Sequence, residues 1–443
     1  MLAAPHSGAG KTSLTIGLLQ ALKDRGVAVA SAKCGPDYID PMLHGAVLGR
    51  ASINLDPWAM TAGAIRTAAM QQADGHSLLL IEGVMGLFDG ATGGGGSTAD
   101  LASLLRLPVV LVVDVSHQAQ SVAALVQGFA RFRPDVTVAG VILNRAGSDR
   151  HTAILRAALD PVGIPVLGAV PRTAGLALPS RHLGLVPAAE IEALDTVLER
   201  LGHLMVQSVD LDRLLALARP VAGGDGADRR GDLPPPGQRV AVARDAAFCF
   251  AYPHLLQGWQ RAGAEILPFS PLAGEAPSVA ADFIFLPGGY PELHAGALSS
   301  ARSFLTGLRD AAGRGVPVYG ECGGYMVLGA GLVDAGGQRH AMADLLPVET
   351  SFAERRLHLG YRRLTQVADS LPWPRHLTAH EFHYASVLRE GDGPALFHAT
   401  DATGADRPAM GRRNGAVMGS FAHVIAGDAE AVDPASRTVV PSD

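Results

Sequence analysis

Short apolar runs alternate with helical stretches over the first half of the chain, and this alternation constrains the fold more than any other feature. The runs lie at residues 27–32, 77–81, 109–114, 138–143 and 165–170. Continuous apolar runs of this length that contain β-branched residues and lie between helices are typical of parallel strands buried on both faces. We therefore predict a doubly wound α/β domain at the N-terminus.

A change in composition divides the chain. Residues 219–238 contain the segments GGDG and PPPG, which do not continue regular structure. The strand pattern then restarts with runs at 239–243, 283–286 and 316–319, and we expect antiparallel additions after residue 341. We predict a first domain at 1–222, a linker at 223–238, a second domain at 239–430 and a frayed tail at 431–443.

A glycine-rich loop, SGAGKT at residues 7–12, precedes a predicted helix at 13–22. Backbone amides of such a loop point at phosphate oxygens, and the helix N-terminus adds positive potential. The lysine would contact the β- and γ-phosphates, and the threonine would ligate Mg²⁺. Pro5 replaces the first glycine of the usual motif, and a strand–helix turn capped by Ser7 is the alternative. The nucleotide-binding candidates are Gly8, Gly10, Lys11, Thr12 and Asn144, the last at a predicted strand end.

Acidic residues follow the predicted strands of the first domain, in the segments CGPDYIDP at 34–41 and EGVMGLFDG at 82–90. The carboxyl ends of parallel strands face the crevice that holds the phosphate loop. Carboxylates suit Mg²⁺, which prefers hard oxygen ligands. Helix capping or turn formation by Asp is the alternative. The candidates for holding Mg²⁺ or orienting an attacking carboxylate are Asp37, Asp40, Glu82, Asp89 and, after the run 109–113, Asp114.

A cysteine lies on a predicted strand–turn–helix unit in the second domain. The segment GECGGY at 320–325 flanks Cys322 with glycines, so the sulfur projects from a sharp turn. The helix N-terminus would favour the thiolate, whereas a buried, inert cysteine is the alternative. His423, after the predicted strand 417–422, is the candidate base, with a structural histidine as the alternative. Ile425 leaves no carboxylate two residues later to orient its imidazole.

A second glycine-rich turn, PGGYPE at 287–292, follows another predicted strand. Backbone amides at such a turn can stabilise the negative oxygen of a tetrahedral intermediate. We assign the oxyanion hole to Gly289 and Gly323. A reactive thiol and a nucleotide site on one chain indicate two coupled reactions.

Composition excludes several classes of function. Hydrophobic residues make up 48% of the chain and charged residues 18%, which suits large cores and argues against disorder. A formal net charge of −6 gives no basic footprint for nucleic acid, and no apolar run approaches the ~20 residues that span a bilayer. Three widely spaced cysteines argue against a disulfide framework. We therefore expect a cytoplasmic protein with neither nucleic acid nor membrane as partner.

The segments GECGG at 320–324, PGGYPE at 287–292 and GSFAH at 419–423 resemble the class I glutamine amidotransferase domain of the cobyrinic and cobyric acid synthase type. That type lacks the glutamate two residues after the histidine, and Ile425 agrees. The first domain resembles the dethiobiotin synthetase-like ATPase fold. The resemblance implies two α/β domains, an N-terminal doubly wound P-loop ATPase-like parallel sheet and a C-terminal glutamine amidotransferase domain.

Longer segments resemble the cobyrinate or hydrogenobyrinate a,c-diamide synthase family, over almost the whole chain. They are GPDYIDP at 35–41, EGVMGLFDG at 82–90, LPSRHLGL at 178–185 and HEFHY at 380–384. The resemblance implies a ligase that uses ATP, glutamine and Mg²⁺ to amidate the a and c acetate carboxylates of a corrinoid through an acyl phosphate. Its implied substrate-binding residues are Tyr38, Arg181 and His182.

The resemblance also implies roles for the site residues. Cys322 attacks the glutamine side-chain amide with support from His423, while Lys11 and Thr12 hold ATP and Mg²⁺. Asn144 corresponds to the adenine-contacting strand end. Asp37, Asp40, Glu82 and Asp89 serve Mg²⁺, ATP and activation of the corrinoid carboxylate.

Three alternatives stay open. Cobyric acid synthase and nickel-sirohydrochlorin a,c-diamide synthase share the chemistry, although GPDYID at 35–40 favours the a,c-diamide group over the first. A ParA-like ATPase switch belongs to another class, and it would leave Cys322 unexplained. The presence of cobalt in the corrinoid, the order of amidation and the oligomeric state, with a homodimer as one candidate, are also open.

Overall fold

The protein consists of two compact units in the computed structural model, Met1–Asp228 and Arg229–Asp443. The split falls inside the predicted linker. Each unit is described by itself below. The structure describes residues 1–173, 180–181, 184–185, 190–221 and 231–432.

The described part of the first unit contains a seven-stranded sheet with the order β3-β2-β4-β1-β5-β6-β7. All of its pairings are parallel, as the buried, β-branched runs predicted. A further two-stranded hairpin joins β8 and β9. The strands are β1 Leu2–Ala3, β2 Val29–Cys34, β3 Ile53–Leu55, β4 Leu78–Glu82, β5 Val109–Asp114, β6 Val138–Ala146, β7 Val166–Pro171, β8 Ser180–Arg181 and β9 Gly184–Leu185.

Helices connect these strands and bury apolar side chains against the sheet. One core cluster includes Leu111 and Val141 with Val126 of α5, and another includes Ile53 and Ile81. The helices are α1 Lys11–Asp24, α2 Ile39–Leu48, α3 Ala62–Ala73, α4 Thr98–Leu105, α5 Val122–Arg131, α6 Asp149–Leu159, α7 Leu194–Ser208 and α8 Leu211–Ala216.

The second unit has a ten-stranded mixed sheet among its described residues, with the order β11-β10-β12-β13-β22-β21-β20-β17-β18-β23. The first five strands in this order are parallel, and the remaining pairings are antiparallel. A smaller sheet has the order β15-β14-β16-β19. The strands are β10 Arg239–Ala243, β11 Glu265–Phe269, β12 Phe283–Leu286, β13 Val318–Glu321, β14 Gly331–Val333, β15 Arg339–Ala341, β16 Val348–Ser351, β17 His358–Gln366, β18 His376–His383, β19 Ser386–Glu390, β20 Ala395–Asp401, β21 Asp406–Asn414, β22 Val417–Ser420 and β23 Ala422–Gly427.

The helices of the second unit cover its parallel strands. Phe304 and Leu308 of α11 join Ile284 and Leu286 of β12 in a core cluster that also contains Cys322. The helices are α9 Pro253–Arg261, α10 Ala295–Ser300, α11 Arg302–Gly313, α12 Gly323–Leu328 and α13 Ala429–Val432.

The predicted fold class is confirmed in both units, and so are the antiparallel additions after residue 341. One strand prediction was wrong: the run 417–422 is not a single strand, because β22 ends at Ser420 and β23 begins at Ala422. The chain changes sheet position between them, since β22 pairs with β13 whereas β23 pairs with β18. Of the predicted tail, residues 433–443 lie outside the described residues. None of the described helices combines the length and apolar character that a membrane crossing requires.

Candidate functional site

The phosphate loop leads directly into α1. Gly10, the residue before the helix, has a φ of 91°, and Gly8 has a φ of 80°. Glycine adopts this left-handed conformation without strain, so both positions suit the residue that occupies them. Lys11 Nζ donates a hydrogen bond to the carbonyl oxygen of Met85. Burial, followed by the charge of Lys33, lowers the Lys11 pKa to about 8. An ammonium group and a helix N-terminus thus meet where phosphate would bind.

A buried lysine joins two of the predicted carboxylates. Lys33 Nζ lies 2.5 Å from Asp40 Oδ2 and 2.9 Å from Glu82 Oε1. Thr12 Oγ1 lies 3.2 Å and 2.7 Å from the same two oxygens. His44 Nε2 is 2.7 Å from the other Glu82 oxygen. The structure therefore brings Thr12, Asp40 and Glu82 together beside the phosphate loop, with Lys33 as their cation.

The charges in this cluster follow from burial and pairing. Burial disfavours the Glu82 carboxylate, but Lys33 and His44 outweigh it and hold the Glu82 pKa well below its usual range. Burial raises the Asp40 pKa well above its ordinary value, and the neighbouring Asp37 carboxylate raises it further. A hydroxyl and carboxylate oxygens form a hard donor set, so these residues fit the predicted Mg²⁺.

The remaining acidic candidates hold backbone turns. Asp37 Oδ1 accepts hydrogen bonds from the amides of Ile39 and Asp40, at 2.7 Å and 3.2 Å, where α2 begins. This is the capping geometry that the sequence left open. Asp89 Oδ2 accepts a hydrogen bond from the Gly86 amide at 2.9 Å. Both carboxylates act on groups beside the phosphate loop. Asp37 raises the pKa of Asp40, and Asp89 raises the pKa of Lys11.

Asn144 holds the phosphate loop in place. Its Nδ2 donates to the Ala9 carbonyl at 2.8 Å, and the residue is buried. A Cβ added to Gly10 would lie 2.3 Å from the same nitrogen, so the loop and β6 are closely packed. The structure gives Asn144 a contact with the loop, and the predicted contact with adenine stays a prediction.

Cys322 lies on a sharp turn between β13 and α12. It has a φ of 46°, and a non-glycine residue in this region is strained. The Cys322 amide donates to the Ser420 carbonyl at 2.8 Å, and its Sγ lies 3.9 Å from the Phe382 carbonyl oxygen. The strand–turn–helix unit predicted from GECGGY is confirmed.

Burial opposes the thiolate that the helix N-terminus would favour at this turn. Burial raises the pKa of the Cys322 thiol well above its ordinary value, and the Glu292 carboxylate acts in the same direction. A hydrogen bond from the Gly323 amide opposes them but does not outweigh burial. Helix α12 has only six residues, so its dipole is weak. Burial therefore favours the protonated thiol, which a base would have to deprotonate.

The imidazole of His423 lies beside the cysteine. A Cβ added to Gly288 would lie 3.1 Å from His423 Nε2 and 3.3 Å from Cys322 Cβ, so both side chains border the same point. Burial, followed by the charges of His380 and His383, lowers the His423 pKa to about 3. The imidazole is therefore neutral at neutral pH and can accept a proton.

The two predicted oxyanion-hole glycines are neighbours. A Cβ added to Gly323 would lie 3.1 Å from the backbone nitrogen of Gly289. Gly289 follows β12, and Gly323 follows the cysteine. The structure thus places the two backbone segments side by side at the turn that carries the thiol.

Comparison with known proteins covers both units. Residues 1–186 match the family model of the CobQ/CobB/MinD/ParA nucleotide binding domain, and residues 239–431 match that of the CobB/CobQ-like glutamine amidotransferase domain. The hydrogenobyrinate a,c-diamide synthase of Brucella suis is 56% identical over 96% of this chain and 98% of its own length. This chain belongs to the hydrogenobyrinate a,c-diamide synthase family.

Other members of the hydrogenobyrinate a,c-diamide synthase family show similar agreement. The Rhizobium meliloti protein of that name is 52% identical and the Agrobacterium fabrum protein 50% identical, each over 96% of this chain and 98% of the relative. The family recognised from the sequence motifs is confirmed. The classification as an enzyme that forms C–N bonds with a glutamine amidotransferase domain is confirmed with it.

Two of the three substrate-binding candidates in this diamide synthase family member lie among the described residues. Tyr38 is buried directly before α2. Arg181 lies in the two-residue strand β8, of which the backbone is described. His182 lies outside the described residues. Their contacts with substrate stay predictions.

Sequence reasoning missed one charged residue at each of the two sites. Lys33 lies at the end of a strand that is buried on both faces, and a charge there needs a partner. Glu321, the residue before the cysteine, lies 3.8 Å through Oε2 from His423 Nδ1. Burial raises the Glu321 pKa to about 8. In both cases the available signal was a charged residue inside an otherwise buried strand.

A second ion cluster holds the HEFHY segment beside the cysteine. Glu381 Oε2 accepts hydrogen bonds from Arg362, with Nη2 at 2.6 Å, and Glu381 Oε1 lies 3.0 Å from His383 Nε2. The His383 ring stacks on Phe421, with centroids 3.9 Å apart. These contacts fix β18, whose Phe382 carbonyl oxygen approaches Cys322 Sγ.

Proposed function

We propose that this protein amidates the a and c acetate carboxylates of hydrogenobyrinate or cobyrinate, using ATP and glutamine, in cobalamin biosynthesis. The observation that carries the proposal is the identity of 56% to a hydrogenobyrinate a,c-diamide synthase over 96% of this chain and 98% of that protein. The two sites supply the two halves of such a reaction, since one contains a thiol and the other a phosphate loop.

The thiol site would release ammonia from glutamine. His423 takes the proton of Cys322, and the sulfur attacks the side-chain amide carbon. The amides of Gly289 and Gly323 stabilise the tetrahedral oxyanion. The proton passes to the leaving nitrogen, and ammonia departs from a glutamyl thioester. Water then hydrolyses the thioester, which yields glutamate and restores the thiol.

The first unit would convert the carboxylate into an acyl phosphate. A corrinoid carboxylate attacks the γ-phosphorus of ATP, and ADP leaves. Lys11 and the amides of the phosphate loop bind the phosphates, while the Lys33 ammonium adds positive charge near the reacting oxygens. Ammonia then attacks the acyl carbon, and inorganic phosphate leaves as the amide forms.

The donor set beside the loop would hold Mg²⁺ through Thr12 and Glu82, with Asp37 and Asp40 next to them. When bound, this ion would neutralise phosphate charge. Asp40 and Asp89 remain our candidates for orienting the attacking carboxylate. Tyr38, Arg181 and His182 remain those for binding the corrinoid.

An amidation assay with separate nitrogen sources tests the proposal. The wild-type enzyme is given Mg-ATP with hydrogenobyrinic acid or cobyrinic acid, and either glutamine or an ammonium salt as nitrogen source. We expect a diamide product with one or both corrinoids. Cys322→Ser should lower the glutamine-dependent rate by about 1,000-fold or more and leave the ammonium-dependent rate intact.

Two outcomes would contradict the proposal. Loss of both activities in a folded Cys322→Ser protein would show that the thiol does not serve ammonia release alone. Amidation of neither corrinoid by the wild-type enzyme would exclude the substrate class. A glutaminase assay separates the proposal from a ParA-like ATPase switch, because such a switch has no use for glutamine.

A further inference from the structure

A carboxylate lies near the Nδ1 edge of the His423 ring. Glu321 is the last residue of β13, directly before Cys322, and both Glu321 and His423 are buried. Glu321 Oε2 is 3.8 Å from His423 Nδ1. Ile425 occupies the position two residues after His423, so no carboxylate comes from there.

The two nitrogens of His423 face different partners. Nε2 borders the Gly288 position, which also borders Cys322, whereas Nδ1 is the nitrogen closest to Glu321. A base that takes a proton through Nε2 becomes an imidazolium, and its positive charge extends to Nδ1. Glu321 therefore stands where that charge would appear. Burial raises the pKa of the resting Glu321 carboxyl to about 8, and a positive charge on the neighbouring imidazole would favour its ionised form.

The Glu321 carboxylate is itself fixed by neighbours. Its Oε1 accepts a hydrogen bond from the Val424 amide at 3.0 Å. Val424 lies in β23, the strand that also carries His423. The carboxylate is thus tied to the segment that positions the imidazole.

The other groups around His423 do not replace this carboxylate. His380 lies opposite His423 in the β18–β23 pairing. Both His380 and His383 disfavour a positive charge on the His423 imidazole. Glu381 favours that charge, but its oxygens already accept from Arg362 and His383. The Phe250 backbone hydrogen bonds with His423 and carries no net charge.

We propose that Glu321 is the positioning residue of the glutaminase site: it orients His423 and balances the imidazolium that forms when the Cys322 proton is transferred. The inference rests on the proposed release of ammonia from glutamine. A carboxylate two residues after the histidine could orient the imidazole, but Ile425 occupies that position. Glu321 takes over this role from β13, the strand that leads to Cys322.

Glu321→Gln tests this role, because glutamine keeps an oxygen acceptor for the Val424 amide and cannot ionise to balance a positive imidazole. We expect kcat for glutamine hydrolysis to fall by about 100-fold, with KM for glutamine within about threefold of wild type. Ammonium-dependent amidation should stay at the wild-type rate. Asp428→Asn is the matched control, because Asp428 is a buried carboxylate directly after β23 whose partner is Arg363, and both rates should be unchanged.

A glutaminase kcat within about threefold of wild type in Glu321→Gln would overturn the proposal. An equal loss of glutamine- and ammonium-dependent activity would also overturn it, because that result indicates a purely structural residue. If Glu321→Gln does not fold, Glu321→Asp decides the question, since it keeps the charge but withdraws it by about 1.5 Å. A reduced kcat at unchanged KM supports the role, and a wild-type kcat refutes it. A wild-type enzyme without glutaminase activity would instead defeat the proposed function itself.

Discussion

The substitution Gly288→Ala should inactivate the glutaminase site by displacing its base. The added Cβ would lie 2.3 Å from His423 Cε1 and 3.1 Å from His423 Nε2. Gly288 is not among the positive-φ glycines, so the backbone itself accepts alanine. The main obstacle is the His423 imidazole, which is buried on β23, and the Cβ of Cys322, at 3.3 Å, is the next closest side-chain atom.

The size of the effect follows from the contact distance. Ordinary contacts of a Cβ begin at 3.4 Å, so an atom at 2.3 Å must move away by roughly 1 Å. A misplacement of about 1 Å in a catalytic group can cost about 100-fold in rate, which corresponds to about 2.7 kcal/mol in the activation free energy. We therefore expect the glutaminase kcat of Gly288→Ala to be about 100-fold below wild type.

The assay measures glutamate release and amidation with glutamine or ammonium as nitrogen source. Glutamine-dependent turnover should fall in Gly288→Ala, and ammonium-dependent amidation should not. Gly258→Ala is the control: this helical glycine of the same unit has nothing within 4 Å of its added Cβ, so both rates should stay at the wild-type level. Wild-type glutaminase activity in Gly288→Ala would refute the placement of His423 beside Cys322.

Two further predictions concern the first unit. Lys33→Met leaves the buried Asp40 and Glu82 without their cation, so urea titration should show a loss of about 3–5 kcal/mol in the free energy of unfolding, and unchanged stability would contradict the buried ion cluster. Gly10→Ala places a Cβ 2.3 Å from Asn144 Nδ2 at a φ of 91°. Its KM for ATP should rise by about 10-fold or more at unchanged glutaminase activity, and a wild-type KM would refute the loop's role.

Local chemistry made much of the site predictable. The phosphate loop needs only consecutive residues and the helix that follows them, and the SGAGKT segment contains both. The cysteine turn likewise depends on its flanking glycines and adjoining strand and helix. Because these features are encoded within a few residues, their placement did not depend on knowing the strand order.

The protonation state of Cys322 could not be predicted in the same way. The helix N-terminus was visible in the sequence and favours a thiolate. Burial acts in the opposite direction and raises the pKa of the Cys322 thiol. Burial depends on which side chains pack around the sulfur, and these include groups from β18 and the turn after β12.

The α/β fold class, the phosphate loop and the cysteine turn follow from local sequence, because strand periodicity and turn chemistry are properties of adjacent residues, and the family follows from longer motifs. Folding in three dimensions brings Lys33 to Glu82, 49 positions away, and the Glu321 carboxylate to the Val424 amide, 103 positions away. Those pairs depend on strand order and register, which arise when separate segments bury their apolar faces together.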